Sequence, residues 1–357
     1  MGVEVGAAGG VCRRAEWETR MRNLMRWMLV GAGAAMATGV CLAEAHAGFE
    51  SYLGWVTVGD PGNRAANIDE TPRYFPPFTA TALEVGAVDY EYRIMRAELT
   101  VKDYLPFVNA FARHYYGGDI DTSMTSSWIV PSSPGPDGNR TYSNNPVVDR
   151  RSADVRNPAV AMAYVNWLHN DRGGEFEDFT TGAYDLREAW DNDGATMFLP
   201  QTHEPDARYW IPTIHEMAKA SYWDPEKNGG EGGYWRYPHR SDEPPVPGLP
   251  GEGEAYIDMG SFFGQPDVGS YPDVQSPWGL LDSAGLQGDY ILYETGSVRP
   301  AFPGSGGSWL SDPIFAALDD AFANRGEGLR IATRVPGPGG MAVVVVGAMC
   351  FAGRRRG

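Results

Sequence analysis

Three stretches of the chain place apolar residues at helical spacing behind a residue that can cap a helix. Thr100 precedes a predicted helix over about 101–113. The apolar residues of this helix share one face: Tyr104, Leu105, Val108 and Phe111. Asn157-Pro158 combines an N-cap with proline at the first helical position and predicts a second helix. Thr213 and Glu216 have the spacing of a capping box and predict a third helix.

Short apolar or alternating runs between these helices predict strands. The predicted strands are Trp55–Val58, Val88–Met95 and Arg208–Ile211. Long stretches rich in Gly, Pro and Asp connect the elements, at 117–150, 170–206 and 224–277. Loops of this length are uncommon in compact domains unless they are functional. We therefore expect a loop-rich fold of short helices and strands, with one domain over 48–334.

Composition excludes several classes of protein. The 357 residues include 45 Gly and 27 Pro, which favours loops over long helices. A wholly disordered chain is excluded, because 43% hydrophobic and 12% aromatic residues can fill a core. No internal stretch approaches the ~20 apolar residues of a spanning helix, so a polytopic membrane protein is excluded too.

The N-terminal region has the three parts of a secretory signal peptide. A basic stretch at 21–26 precedes an apolar run from Trp27 to about Leu42, and Ala45-His46-Ala47 follows. We predict that 21–47 is the signal peptide, cleaved after Ala47. Residues 1–20 carry acids that such a segment avoids, and we interpret them as an extension upstream of the true start. The alternative is a membrane anchor that is never cleaved.

The C-terminal region, 335–357, also has three parts. Val335-Pro336-Gly337-Pro338 precedes an apolar segment, and three arginines follow it. This order resembles the PEP-CTERM sorting signal of bacterial envelope proteins, although Gly337 replaces the usual Glu. The resemblance implies transient membrane association through 341–353, sorting and processing machinery as a partner, and a place on the outer surface or in the extracellular matrix. The alternative is a frayed hydrophobic tail.

Removing both ends makes the remaining body more acidic. Residues 48–334 contain 42 acidic and 21 basic residues, a net charge of −21, against −17 for the whole chain. Such a body argues against nucleic acid as a partner, since phosphate binding needs a basic face. The three cysteines of the whole chain, Cys12, Cys41 and Cys350, all lie outside the body. The body therefore has neither a disulfide nor a thiol mechanism.

A series of short motifs follows one another in an order typical of one protein family. They include Glu98-Leu99-Thr100, Ala207–Thr213, Gly232–Pro238, Gly279–Asp282, Gly306–Trp309 and Gly328–Ala332. In this order the chain resembles formylglycine-generating enzymes, or sulfatase-modifying factor domains, over roughly 52–333. The resemblance implies a compact, loop-rich, C-type-lectin-like α+β fold, in agreement with the short elements and long loops predicted from the residues.

The same resemblance implies where the copper-binding cysteines of the family should lie. It also implies that this chain lacks the oxidase chemistry that depends on them. Active members have two cysteines after the Gly-Gly-Ser-aromatic segment, and these thiolates bind Cu(I). Here Ser311 and Ala316 occupy the two positions. A hydroxyl and a methyl group cannot replace two thiolates. We therefore expect no copper and no formylglycine-generating activity.

Calcium is the other metal that the resemblance implies. The family's Gly-Asn-Val-Trp-Glu-Trp segment aligns with Gly285–Tyr290, where Asp289 retains a carboxylate and Leu286 replaces the Asn. Asp258 falls near a second calcium region of the family. Because Ca²⁺ takes about six to eight oxygen ligands, the loss of one ligand predicts weak binding. The alternative for Asp289 is a solvated turn residue.

Aromatic residues cluster at 222–237 and have two interpretations. Exposed rings beside carboxylates could stack on sugars, whereas buried rings would pack the core. Core packing is favoured for Trp223 and Trp235. For Tyr234 and Tyr237 the two interpretations remain equal, so both tyrosines are candidate ligand contacts.

Two hypotheses for function follow. The first is an exported, non-catalytic surface or matrix protein that binds extracellular polysaccharide. The second is a metal-dependent oxidase or hydroxylase of the same superfamily with altered chemistry. Bound copper or iron in the purified protein would favour the enzyme, whereas calcium or no metal would favour the binding protein.

Overall fold

A computed structural model describes the protein over 49–67, 70, 85–114, 126–132, 140–155, 157–187, 199–257, 264–283, 285–293, 297–301 and 328–336. The chain divides into two units, residues 1–48 and 49–357, and every described residue belongs to the second. No helix in the described ranges is long and apolar enough to cross a membrane.

The helices are short, and the three longest begin at side-chain caps. They are α1 (Val101–Ala112), α2 (Pro158–His169), α3 (Glu177–Thr180), α4 (Ile214–Tyr222) and α5 (Lys227–Gly230). Thr100 caps α1, and Asn157 caps α2 ahead of its first residue, a proline. Thr213 and Glu216 form the predicted capping box of α4 through hydrogen bonds of 3.2 and 2.8 Å. The three helices predicted from the sequence are thereby confirmed.

The strands have two to five residues each. They are β1 (Trp55–Val58), β2 (Tyr92–Met95), β3 (Ile129–Pro131), β4 (Tyr142–Asn144), β5 (Tyr209–Trp210), β6 (Trp223–Asp224), β7 (Gly233–Tyr234), β8 (Asp289–Tyr293), β9 (Ser297–Ala301) and β10 (Ala332–Arg334). The prediction for β1 is confirmed. The predicted strand Val88–Met95 begins only at Tyr92, because the Val88 carbonyl accepts hydrogen bonds from Gly62 and Lys219 rather than from a neighbouring strand.

The largest sheet brings together strands that are far apart in the sequence. Its order is β1-β2-β10-β5, and all of its pairings are antiparallel. β10 lies between β2 and β5, with Thr333 opposite Arg93 on one side and Tyr209 on the other. The hairpins β3–β4 and β6–β7 lie within predicted loops, and β8 pairs with β9. These small sheets and short helices confirm the α+β prediction.

Aromatic side chains dominate the core between α1, α2 and the sheet. Phe107 of α1 lies 5.3 Å from the ring of Tyr164 on α2 and 5.9 Å from that of Phe179. All three side chains are buried. The face of α1 therefore includes Phe107, whereas Leu105 is only partly buried. A smaller apolar cluster holds Ala97, Tyr256, Val268, Tyr271, Leu281 and Leu286.

Candidate functional site

The predicted site residues divide into two groups. Asp258, Ser311 and Ala316 lie outside the described residues. Asp289, Tyr234 and Tyr237 are described, and they occupy three different environments. The structure shows no contact among these three side chains.

Asp289 is the first residue of β8 and is 1% exposed, so the alternative of a solvated turn residue is wrong. Its Oδ2 atom accepts a hydrogen bond of 2.8 Å from Nε of Arg330, which is itself fully buried. Burial raises the pKa of Asp289, and the Arg330 guanidinium opposes that rise. The carboxylate is thus half of a buried ion pair.

Two further acids surround this pair. Glu98 is 1% exposed and Asp282 is 5% exposed, and both interact electrostatically with Arg330. We call Glu98, Asp282, Asp289 and Arg330 the Arg330 cluster. Burial and the Asp289 carboxylate raise the pKa of Glu98 well above its usual range, and burial raises the pKa of Asp282 to about 6. The Arg330 guanidinium therefore interacts electrostatically with three buried carboxyl groups and donates a hydrogen bond to that of Asp289.

Tyr234 lies in β7 and is fully buried. Its hydroxyl donates to the Arg64 carbonyl at 2.9 Å and accepts from Nδ2 of Asn63 at 2.9 Å. Its ring centroid is 5.0 Å from that of Trp223, which is buried as expected. Because no face of its ring reaches the surface, this placement argues against Tyr234 as a ligand contact.

Tyr237 is half-buried and follows β7 in a short turn. Its backbone N–H donates to the Ser241 carbonyl at 3.0 Å, and its ring lies 6.0 Å from that of His239. His239 is also half-buried. Two adjacent rings are therefore partly accessible at this turn, and Tyr237 remains a candidate ligand contact.

Trp235 lies between the two tyrosines and is half-buried rather than packed in the core. Its indole N–H donates to Oδ2 of Asp224 at 3.0 Å, and the same oxygen accepts from Nη2 of Arg240 at 3.2 Å. Nζ of Lys227 lies 4.0 Å from the centre of the indole ring. These contacts hold one edge and one face of the ring. Sequence reasoning favoured core packing because Trp is mostly buried in proteins.

Arg236 completes this surface. Its side chain is exposed, and its guanidinium has no ion-pair or hydrogen-bond partner among the described residues. We call the surface the Trp235 patch and define it by these residues: Lys227, Trp235, Arg236, Tyr237, His239 and Arg240. The run of aromatic and basic residues at 234–237 is the sequence signal for it.

Left-handed backbone supports the patch at two non-glycine residues. Arg240 has φ of +59°, and Asn228, next to Lys227, also has φ of +59°. Non-glycine residues adopt this conformation uncommonly and at a cost of about 1–3 kcal/mol. Because such strain is common at functional sites, the backbone at Asn228 and Arg240 is consistent with a binding site at the Trp235 patch.

Other ionisable residues near the described core act within the fold. Nδ1 of His215 accepts from the Gly86 N–H at 3.1 Å, and Nδ1 of His169 accepts from the Arg208 N–H at 3.2 Å. Glu216 is fully buried and accepts from Trp210 at 3.0 Å. Within the described ranges, no three His, Cys, Asp or Glu side chains form a group that could hold a metal ion.

Comparisons with known proteins give only distant similarities. No family model and no curated protein matches the chain. A solved structure described as "Crystal Structure of CarF" is similar with a TM-score of 0.45 and 17% identity, over 80% of this chain and 99% of that one. Treponema denticola variable protein 1 is similar with a TM-score of 0.38 and 13% identity, over 79% of this chain and 95% of that one.

Proposed function

We propose that the protein is an exported, non-catalytic protein of the bacterial cell surface or extracellular matrix, which binds polysaccharide through the Trp235 patch. The domain would have the C-type-lectin-like fold of formylglycine-generating enzymes. The sequence resemblance supports this fold, and the signal-like and sorting-like ends support export. Ser311 and Ala316, at the positions of the copper-binding cysteines, support the loss of oxidase chemistry.

The observation that carries the proposal is the arrangement of rings and polar groups at 235–240. Carbohydrate-sized ligands need an apolar face and a few oriented hydrogen-bonding groups. Tyr237 and His239 present partly accessible rings, and Arg236, next to Tyr237 in the sequence, has an exposed guanidinium without a partner among the described residues. Aromatic residues with one apolar and one wet side are typical of interfaces. Trp235 is held between Asp224 and Lys227, so the surface is pre-formed.

A second observation favours binding over catalysis. Two buried carboxylates among the described residues have structural partners: Asp289 pairs with Arg330, and Glu216 caps α4 while accepting from Trp210. A catalytic acid or base must instead reach a substrate. The side chains of the Trp235 patch are instead exposed or half-buried and can reach a ligand.

A glycan array probed with the purified full chain tests the proposal. We expect binding to at least one class of polysaccharide, and we expect Arg236→Gln and Tyr237→Ala each to weaken it about tenfold, as the loss of one good contact does. Phe176→Ala is the matched control, because Phe176 is an exposed aromatic residue on another part of the surface. Equal binding by all three variants, or no glycan binding at all, would contradict the proposal.

The competing enzyme hypothesis has a separate test. The full chain, supplied with copper, should not convert a cysteine-containing sulfatase peptide to formylglycine above the rate without protein. Metal analysis should find neither copper nor iron bound in stoichiometric amounts. Turnover, or either metal at one equivalent, would favour the oxidase or hydroxylase instead.

A further inference from the structure

The resemblance implies calcium at Asp289, and the contacts of this carboxylate test whether that ion fits. Nε of Arg330 lies 2.8 Å from Oδ2, and the two side chains are 0% and 1% exposed. A divalent cation at this carboxylate would lie within a few ångströms of a fixed positive charge, away from the screening of water. The cation that neutralises Asp289 is therefore the Arg330 side chain of the same protein.

Position 286 of the calcium segment offers no free oxygen ligand. The side chain of Leu286 is 2% exposed and packs in the apolar cluster with Tyr256 and Leu281. Its carbonyl oxygen accepts a hydrogen bond of 3.2 Å from Nε2 of Gln265. Because Ca²⁺ takes about six to eight oxygens, a site that loses both groups and shares Asp289 with Arg330 is poorly suited to it.

Backbone hydrogen bonds hold Arg330 in this position. The Gly328 N–H donates to Gly288 at 2.6 Å, and its carbonyl accepts from Tyr290 at 3.1 Å. The Leu329 carbonyl accepts from Leu99 at 2.8 Å. Nη1 of Arg330 adds a bond of 3.1 Å to the carbonyl of Arg96. Movement of the guanidinium away from Asp289 would break its bonds to that carboxylate and to the Arg96 carbonyl, so an incoming ion cannot displace it without cost.

We propose that Arg330 is the built-in counter-ion of the buried acids around Asp289 and that calcium does not bind this carboxylate. The role extends to Glu98 and Asp282, because both are buried and interact electrostatically with Arg330. A buried charge without a partner is strongly destabilising, so the fully buried Arg330 and Asp289 are tolerated only as a pair. The folding of this part of the domain then needs no divalent metal.

Thermal melting of the unmodified full chain is the first test. We expect the same Tm in millimolar calcium chloride, in sodium chloride of equal ionic strength and with a chelator. A calcium-specific rise in Tm that disappears in Asp289→Asn would overturn the proposal. A rise that persists in Asp289→Asn would locate the ion elsewhere in the chain and support the role of Arg330.

A double-mutant cycle is the second test. Arg330→Met should increase the unfolding equilibrium constant ~100-fold or more, because it leaves the buried carboxylate of Asp289 without a cation. Asp289→Asn should also increase it, because Nε of Arg330 loses its charged acceptor. The double variant should unfold at least ~10-fold less than the product of the two effects, since neither member of this ion pair remains. The exposed pair Arg187–Asp185 is the control and should give nearly additive effects. Additive effects at Arg330 and Asp289 would overturn the proposal.

Discussion

The packing around Gly86 shows why a glycine in a loop can be irreplaceable. Gly86 has φ of +95°, and a Cβ added there would lie 2.8 Å from two ring carbons of Tyr234. Tyr234 is fully buried and is held by hydrogen bonds to Asn63 and Arg64, so it cannot move aside. The glycine is therefore required both by its backbone angle and by close approach.

We predict that Gly86→Ala destabilises the domain by about 2–5 kcal/mol, from a left-handed backbone term of ~1–2 and an overpacking term of ~1–3. Chemical denaturation of the full chain measures the loss. Gly62→Ala is the control, because Gly62 has φ of +82° but nothing within 4 Å of the added Cβ. Equal losses at Gly86 and Gly62 would show that the contact with Tyr234 contributes nothing.

Glu216 shows how much one buried carboxylate can organise. Oε1 accepts from the Tyr90 hydroxyl at 3.0 Å and from Trp210, and Oε2 accepts from the Thr213 N–H at 2.8 Å. Burial raises the pKa of Glu216, and these hydrogen bonds oppose the rise. The side chain therefore caps α4 and also links it to β5.

Glu216→Ala should cost about 3 kcal/mol, because buried donors left without an acceptor cost ~1–3 kcal/mol each and the capping box is lost as well. The midpoint of denaturant unfolding measures this change. Glu177→Ala, at an exposed position, should stay within about 0.5 kcal/mol of the original protein. A Glu216→Ala protein as stable as Glu177→Ala would contradict the interpretation.

Residues whose partners are close in sequence could be predicted, and those with distant partners could not. The capping box of Thr213 and Glu216 spans three residues, so its pattern is visible in the sequence. Arg330 is 41 residues from Asp289 and still further from Glu98. No local pattern encodes that contact, because backbone hydrogen bonds from Gly328 to Gly288 and from Tyr290 to Gly328 bring the two segments together. Asp289 consequently appeared in the sequence as a metal ligand rather than as half of an ion pair.

At the scale of elements, α1 contains a residue that opposes its own helix. Pro106 is the sixth residue of α1 and is exposed. Its ring cannot donate the backbone hydrogen bond that the Lys102 carbonyl would accept in a regular helix. The helix forms nonetheless, because Tyr104, Phe107 and Phe111 bury their rings in the core. Tertiary packing outweighs the local preference here.

We predict that Pro106→Ala stabilises the protein by about 1–3 kcal/mol, since interior proline costs ~3 kcal/mol and part is offset by greater freedom of the unfolded chain. The Tm of the full chain measures the gain. Pro158→Ala is the control, because Pro158 is the first residue of α2, where the N–H has no helical partner. A gain at Pro158 equal to that at Pro106 would contradict the explanation.

The elements that the sequence predicted are those with strong local signals. The caps and apolar spacing of α1, α2 and α4 are local, and all three helices are present. β6 and β7 have two residues each and lie within a predicted loop, so neither gives a periodic pattern. β10 joins the sheet between β2 and β5 through pairings across most of the chain. Long-range pairings of this kind are not encoded in local propensity.

At the scale of the whole molecule, the start of the described body bears on the proposed processing. Phe49 is 6% exposed, and its backbone N–H donates to the Tyr209 hydroxyl at 2.8 Å. Its ring lies 6.1 Å from that of Trp55 and 6.4 Å from that of Tyr164. Cleavage after Ala47 would leave one residue ahead of this anchor. Cleavage two residues later would remove it.

We predict that the exported protein begins at Gly48 and that this start preserves stability. A recombinant chain beginning at Glu50 should be less stable by about 3 kcal/mol than one beginning at Gly48, because a buried Phe side chain is lost. Phe49→Ala in the chain that begins at Gly48 should show a similar loss, which separates the ring from the terminus itself. N-terminal sequencing of the exported protein and denaturant unfolding provide the two measurements. A mature chain that retains Trp27 would refute the signal peptide, and equal stability of the two recombinant chains would show that Phe49 does not anchor the fold.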